Sequence, residues 1–334
     1  MTDGTELSLI GQYCPKLEEL ESHPSIDKIE NFLDFGRQYG HRLKKLILKN
    51  SNTLINLVFK DTKYFRDFFK SCSRLKELDN NTAGNGFVDR DPQFLPKLET
   101  LSCLYFYKIG IDQEDLGILA DKYGKTLKRL WLTIGAIPSH EPTESLSLVS
   151  RFESLLLLNL RIFNDSDTEI DDWIIRIGQK CPKLKKFNLA ISEKCLISED
   201  FLKVFTHFKS LEELILSFVS KINGSVKCFK ECSKLKRFCI SCPELSEDFF
   251  DGIQTSLPNI RFIDFIVGKQ VNNKYNQLFI SLSSLKNLKE VLFIYRTLDT
   301  NEYIQTIYYY NKYWKYYDPD KYVMLNNNCA QLLL

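Results

Sequence analysis

Cysteines supply the most suggestive chemistry in this 334-residue chain. Cys228, Cys232, Cys239 and Cys242 follow a C-x3-C-x6-C-x2-C spacing, and four thiolates can hold zinc tetrahedrally. The local pattern works against convergence, because Cys239 falls on the outward side of a short strand while Cys232 faces inward. A second set, Cys14, Cys72, Cys181 and Cys232, stands three residues before a recurring leucine. A metal or redox ladder is one use of such a register, and a small buried side chain at a helix-to-strand junction is a simpler one. His23, His41, His140 and His207 lie in separate segments, without the cysteine, serine or carboxylate neighbours of nucleophilic catalysis. Gly84, Asn85 and Gly86 are too few for a phosphate loop and lack a strand-to-helix setting. These residues give no catalytic, cofactor or metal site, and the chain reads as a non-enzyme.

The elements that would carry these residues repeat. CPKLEEL near the start returns as CPKLKKF around residue 184, and HRLKKLIL, KTLKRLWL, KSLEELIL and SKLKRFCI share the frame. That frame is apolar, two variable, apolar, one variable, then usually apolar. Its first position falls at Leu17, Leu43, Leu75, Leu98, Leu127, Leu155, Leu184, Leu211, Leu235, Ile260 and Leu288. The mean spacing is about 27 residues, inside the leucine-rich-repeat range. The second position is apolar every time, from Leu20 to Val291. The third is apolar in most repeats, tolerable at Cys103, and polar at Ser22 and Asn80. A further match at Leu54, Leu57 and Phe59 comes only 11 residues after Leu43 and is assigned to a connection.

Alternation between the second and third positions has period two, the mark of a strand with one buried face. Helical spacing follows over Ile29–Tyr39, Tyr64–Ser71, Glu114–Tyr123, Asp171–Gln179 and Tyr275–Leu282, and Ser198 and Ser246 stand where N-caps would. The expected fold is α/β: a leucine-rich-repeat solenoid over residues 1–296, about 11 repeats, with parallel strands on a concave face and helices on a convex one. The tail, 297–334, holds 8 of the 16 tyrosines. Ile307, Tyr310, Trp314 and Tyr317 share one helical face that Asp318 and Pro319 would end, so a capping helix is expected there.

Bulk properties exclude several classes. Lys+Arg number 45 against 43 Asp+Glu, a formal charge of +2, which gives no general basic excess for nucleic acid. The first ten residues lack the basic start and apolar core of a secretory signal. The apolar run Leu155 to Leu160 is far too short to span a bilayer. Ten cysteines in such a chain suit a reducing compartment, the cytoplasm or nucleus, and a monomer.

The cysteine register, the period and the CPKL phrase together resemble the cysteine-containing subfamily of leucine-rich repeats, as found in F-box proteins. The resemblance covers about residues 1–296. It implies substrate recognition for an SCF-type ubiquitin ligase, with cullin-based ligase components as partners if an F-box is missing from this chain. No F-box precedes the repeats, since Leu17 already belongs to the first. The alternative is a free-standing leucine-rich-repeat scaffold or inhibitor unrelated to ubiquitination.

Either role would use the variable residues that flank the buried ones on each strand. Read across the array, these place Leu104, Trp131 and Leu157 in an apolar centre with Arg129, Arg161, Lys186 and Arg237 nearby. Aromatic anchors with arginine partners are the usual composition of protein-binding centres. A solvated strand face with an incidental tryptophan is the plainer reading. A second apolar stretch, around Phe262, Ile266, Leu292 and Ile294, is expected to meet the tail.

Overall fold

The computed structural model describes residues 7–22, 29–49, 62–81, 103–110, 113–134, 142–163, 168–192, 195–246, 248–267, 282, 285–295 and 306–311. The chain forms two compact units, Met1–Asp165 and Ser166–Leu334.

In the first unit the strands are β1 (Glu19–Ser22), β2 (Lys45–Lys49), β3 (Glu77–Asn81), β4 (Cys103–Gly110), β5 (Arg129–Ile134) and β6 (Leu157–Ile162). Each pairs in parallel with the next in sequence. The helices Leu7–Tyr13, Ile29–Tyr39, Thr62–Ser71, Gln113–Tyr123 and Pro142–Val149 lie in the connections. In the second unit, β8 (Lys186–Ile191), β10 (Glu213–Phe218), β11 (Arg237–Cys242), β12 (Phe262–Val267) and β13 (Glu290–Tyr295) form a parallel series, and β7 (Thr168–Glu169) pairs separately with β9 (Cys195–Leu196). Strand, connection and parallel strand, with one repeat per step, make each unit a leucine-rich-repeat solenoid.

The register follows the apolar frame. Leu20 is opposite Leu46, which is opposite Leu78, and Leu130 is opposite Leu158. In the second unit Phe187, Leu214, Phe238, Ile263 and Val291 stand in one line. All of these side chains are buried. The same short bonds recur at each step. The N–H of Leu17, Leu75, Leu184 and Leu235 donates to the carbonyl of Cys14, Cys72, Cys181 and Cys232, closing the turn that feeds the strand. The carbonyls of Lys44, Lys128, Lys185, Glu212, Lys236 and Arg261 each accept two consecutive N–H groups from the next repeat.

Helices approach closely where glycine faces an aromatic ring of the following repeat. A Cβ on Gly36 would lie 1.9 Å from Phe68 Cδ2, and one on Gly178 would lie 2.8 Å from Phe208 Cε2. Phenylalanines then form a chain of ring contacts through the second unit, Phe205 to Phe229 to Phe238 to Phe249 to Phe250 to Phe265, with centroids 4.6–6.4 Å apart.

Four expectations are corrected. The fourth repeat runs three residues later than Leu98 and Leu101 imply, since β4 places Leu104 opposite Leu78 and Leu130, and Phe106 opposite Leu132. The frame is therefore Leu101, Leu104 and Phe106, which makes both neighbouring spacings 26 residues instead of 23 and 29.

The helical patterns after Ser198 and Ser246 are not α-helices begun by those serines. Phe201–His207 is a 3-10 segment, and after Ser246 only Ile253–Ser256 is α-helical. A 3-10 segment rises ~2.0 Å per residue against ~1.5 Å, so seven residues cover nearly the length of a longer α-helix. Ser198 and Ser246 bond sideways to the preceding repeat instead. The Ser198 hydroxyl donates to Asp171, and the Ser246 hydroxyl donates to the Gly224 carbonyl at 2.6 Å.

Third, Ser22 keeps the inward register opposite Leu48 although it is polar. Its hydroxyl is fully buried without a hydrogen-bond partner among the described residues. Fourth, Thr306–Asn311, inside the expected capping helix, is strand β14, antiparallel to β13. The run TIYYYN is β-branched and aromatic, and β13 otherwise presents an open edge. Ile307 and Tyr310 are thus strand residues, while Trp314 and Tyr317 lie outside the described residues, as do Leu54, Leu57, Phe59, His140 and residues 84–86.

Truncating Leu214 should cost about 2–5 kcal/mol in urea unfolding. Ile215→Ala, one residue away on the outward side, should lose less than about half of that. Equal losses would contradict the inward–outward alternation.

Candidate protein-binding face of the strands

The outward side chains of the first unit stand in rows set by the strand register. One row includes Glu19, Lys45, Glu77, Arg129 and Leu157, and the next includes Trp131 and Asn159. Arg161 follows beside Thr133. Trp131, Leu157 and Arg161 are half-buried, as expected of side chains leaning on a sheet without being covered by it.

Charge is organised across strands. Glu77 accepts Lys45 at 2.9 Å on one oxygen and Arg129 at 3.4 Å on the other. Arg129 thus reaches across β4 to an acid that is 16% exposed, and is a held cation. The strand register sets Leu104 opposite Leu78 and Leu130, not in the row of Arg129 or of Trp131. The strand position beside Trp131 belongs to Tyr105. The even spacing of Leu75, Leu101 and Leu127 was the signal that could have found it.

In the second unit Lys186 pairs with Glu213 at 2.7 Å. Arg237 lies over the Phe262 ring, 5.3 Å from its centroid, and its Nε is 3.5 Å from Asp264. Here three of the outward positions are covered. Cys239 is 3% exposed, Asp264 7% and Ile266 7%, and Leu292 packs on Ile266. The expected neighbourhood of this stretch and the tail takes the form of strand pairing, with Leu292 opposite Tyr309 and Ile294 opposite Ile307. Burial pushes the Asp264 carboxyl above the usual range, with Arg237 opposing and Glu290 adding to the shift.

The cysteines are structural in their surroundings. Cys72, Cys181 and Cys232 are buried, whereas Cys14 is exposed. The Cys232 thiol donates to the Phe205 carbonyl of the preceding repeat at 3.2 Å, and the Cys228 thiol donates to Ser225 O at 2.9 Å. Burial pushes the thiols of Cys228, Cys232, Cys239 and Cys242 up to about 12. Among the described residues no three His, Cys, Asp or Glu side chains converge on a metal position. No helix among them is long and apolar enough to cross a membrane.

No family model matches the chain, and no curated protein matches it. Among solved structures, the chain is similar to the leucine-rich repeat-containing protein LegL7 from Legionella pneumophila, at 14% identity and a TM-score of 0.47, over 84% of this chain and 95% of that one.

An ionised Asp264 with a raised folded-state pKa costs stability at neutral pH, and that cost vanishes as pH falls and the carboxyl takes up its proton. Asp264→Asn should therefore unfold at higher urea than the parent at pH 7, with the gap shrinking on acidification. A gap that widens as pH falls would contradict this burial.

Proposed function

We propose that this chain is a non-enzymatic protein-interaction module, and that the outward face of the first unit's strands grips a partner protein. The observation that carries the reading is Trp131 set half-buried on that face, with Leu157 and Arg161 on the adjoining strand. A rigid aromatic anchor with apolar and arginine neighbours is the composition that concentrates binding energy in protein interfaces. Arg129, anchored by Glu77, adds an oriented cation to the same sheet. Lys186 and Arg237 take the equivalent role on the second unit's strands, each already partnered by a carboxylate. Ion-paired carboxylates are better suited to shaping a charged surface than to acid–base chemistry.

The finer reading is substrate recognition for an SCF-type ubiquitin ligase in the cytoplasm or nucleus. It is supported by the CPKL phrase and by the cysteine register, whose buried members Cys72, Cys181 and Cys232 each close a turn that feeds a strand. A free-standing scaffold or inhibitor would use the same face without ligase partners.

Affinity purification of the tagged full chain separates these readings. The ligase reading expects cullin and its adaptor among the eluted proteins, and their consistent absence beside a stoichiometric partner favours the free-standing scaffold. In either case the double variant Trp131→Ala with Arg161→Glu should weaken partner capture at least about tenfold while leaving the unfolding midpoint unchanged. Undiminished capture by that variant would remove this face from the account.

A further inference from the structure

The near-neutral charge of the chain conceals a segregation within the second unit. The turns that lead into its parallel strands, residues 181–186, 208–213, 232–237, 257–262 and 285–290, carry ten lysines and arginines but only three glutamates. Where the strands end, the described acids Glu199, Asp200, Glu244, Asp248 and Asp251 dominate instead. Because adjacent strands lie about 4.8 Å apart, residues at one frame position form a row along the edge. Lys185, Glu212, Lys236, Arg261 and Lys289 each immediately precede a strand of this series.

Within this row the one carboxylate is already saturated. Glu212 holds Lys185 at 3.1 Å on one oxygen and Lys236 at 2.6 Å on the other. Those two hydrogen-bonded lysines, Lys236 foremost, bring its carboxyl down to about 2. By contrast Lys183, Lys234, Arg261, Lys286 and Lys289 are exposed and enter no ion pair among the described residues. The cations therefore exceed the local acids that could neutralise them.

The row also has a recess. A cavity of about 330 Å³ is lined by Lys234, Lys236, Arg261, Asn259, Asn287, Ser233 and Glu212, the last already paired with Lys236. Its walls are fixed by bonds between repeats. Asn259 Nδ2 donates to the Ser233 carbonyl at 2.8 Å, and Asn287 Nδ2 donates to the Pro258 carbonyl at 3.0 Å. Each amide keeps a second N–H, and the recess carries three cations, of which Lys236 is held by Glu212 while Lys234 and Arg261 enter no ion pair among the described residues.

We propose that this recess, with the basic row on either side of it, binds an acidic segment of a partner protein through its side-chain carboxylates. A peptide suits it better than a nucleic acid, because none of the exposed large apolar side chains among the described residues, Leu9, Tyr13, Phe163, Leu196 and Val219, belongs to these turns, so bases would find no exposed stacking platform there. The surface is distinct from the Trp131 face and does not depend on it.

Fluorescence anisotropy with a fluorescein-labelled hexaglutamate peptide, titrated with the full chain at low ionic strength, tests the assignment. Lys234→Glu with Arg261→Glu should weaken binding at least about tenfold. Lys227→Glu with Lys230→Glu, the same charge change on the 3-10 segment Val226–Glu231, should weaken it less than about twofold. Lys234→Gln with Arg261→Gln, with an unchanged unfolding midpoint, should fall between the parent and the charge reversal. Trp131→Ala should bind the peptide as the parent does, which keeps failure here separate from failure of the other face. Equal loss in both charge-reversed pairs, no peptide binding by the parent, or tighter binding of a thymidine oligonucleotide of equal charge that the first pair abolishes would overturn it.

Discussion

Each strand of the parallel series rests on a backbone exchange with the repeat before it. A carbonyl at the start of one strand accepts two consecutive N–H groups from the start of the next, as Lys185 does for Glu212 and Glu213 and as Lys236 does for Arg261 and Phe262. That exchange fixes where the next strand begins, and a shift of one residue would turn every side chain to the other face. With the register fixed, Leu189, Leu216 and Ile240 are brought into one buried line, and Phe187, Leu214 and Phe238 into another. One repeat buries too few side chains to offset the entropy of ordering it, so its stability resides in its neighbours.

The same constraint leaves the alternate positions open to variation, and the two units use them differently. On the first unit, Glu77 gathers Lys45 and Arg129, while Trp131 and Leu157 offer apolar area. On the second, Cys239, Asp264 and Ile266 are closed off, and charge collects at the ends of the strands. A solenoid can carry such different surfaces because outward residues share one backbone scaffold and contribute little to the core. The fold alone therefore names no partner.

Much of the fold is legible in the sequence because burial imposes a period on residue types. Leucine or another apolar side chain at every second frame position needs no tertiary information to be recognised. Legibility fails where two apolar frames overlap. Both Leu98 with Leu101 and Leu101 with Leu104 fit β4, and pairing with β3 and β5 decides for the second. That shift puts Leu104 in the register of Leu78 and Leu130, and Tyr105 in that of Trp131. Helical spacing was likewise ambiguous in FLKVFTH, since 3-10 and α segments bury similar positions when only two turns long. The tail misled because aromatic residues at helical spacing also fit a strand when an unpaired edge is available, as at β13. The covered acid at Asp264 had no sequence signal, because its burial depends on residues distant in the chain.

Methyl NOE spectroscopy on protein labelled at leucine and isoleucine tests the register most directly. Leu189, Leu216 and Ile240 come from three repeats and stand opposite one another on β8, β10 and β11. With strands about 4.8 Å apart, strong cross-peaks should join Leu189 to Leu216 and Leu216 to Ile240. Their absence, with cross-peaks from Leu216 to methyls of unrelated repeats, would show that the recurring apolar frame does not set these strands side by side.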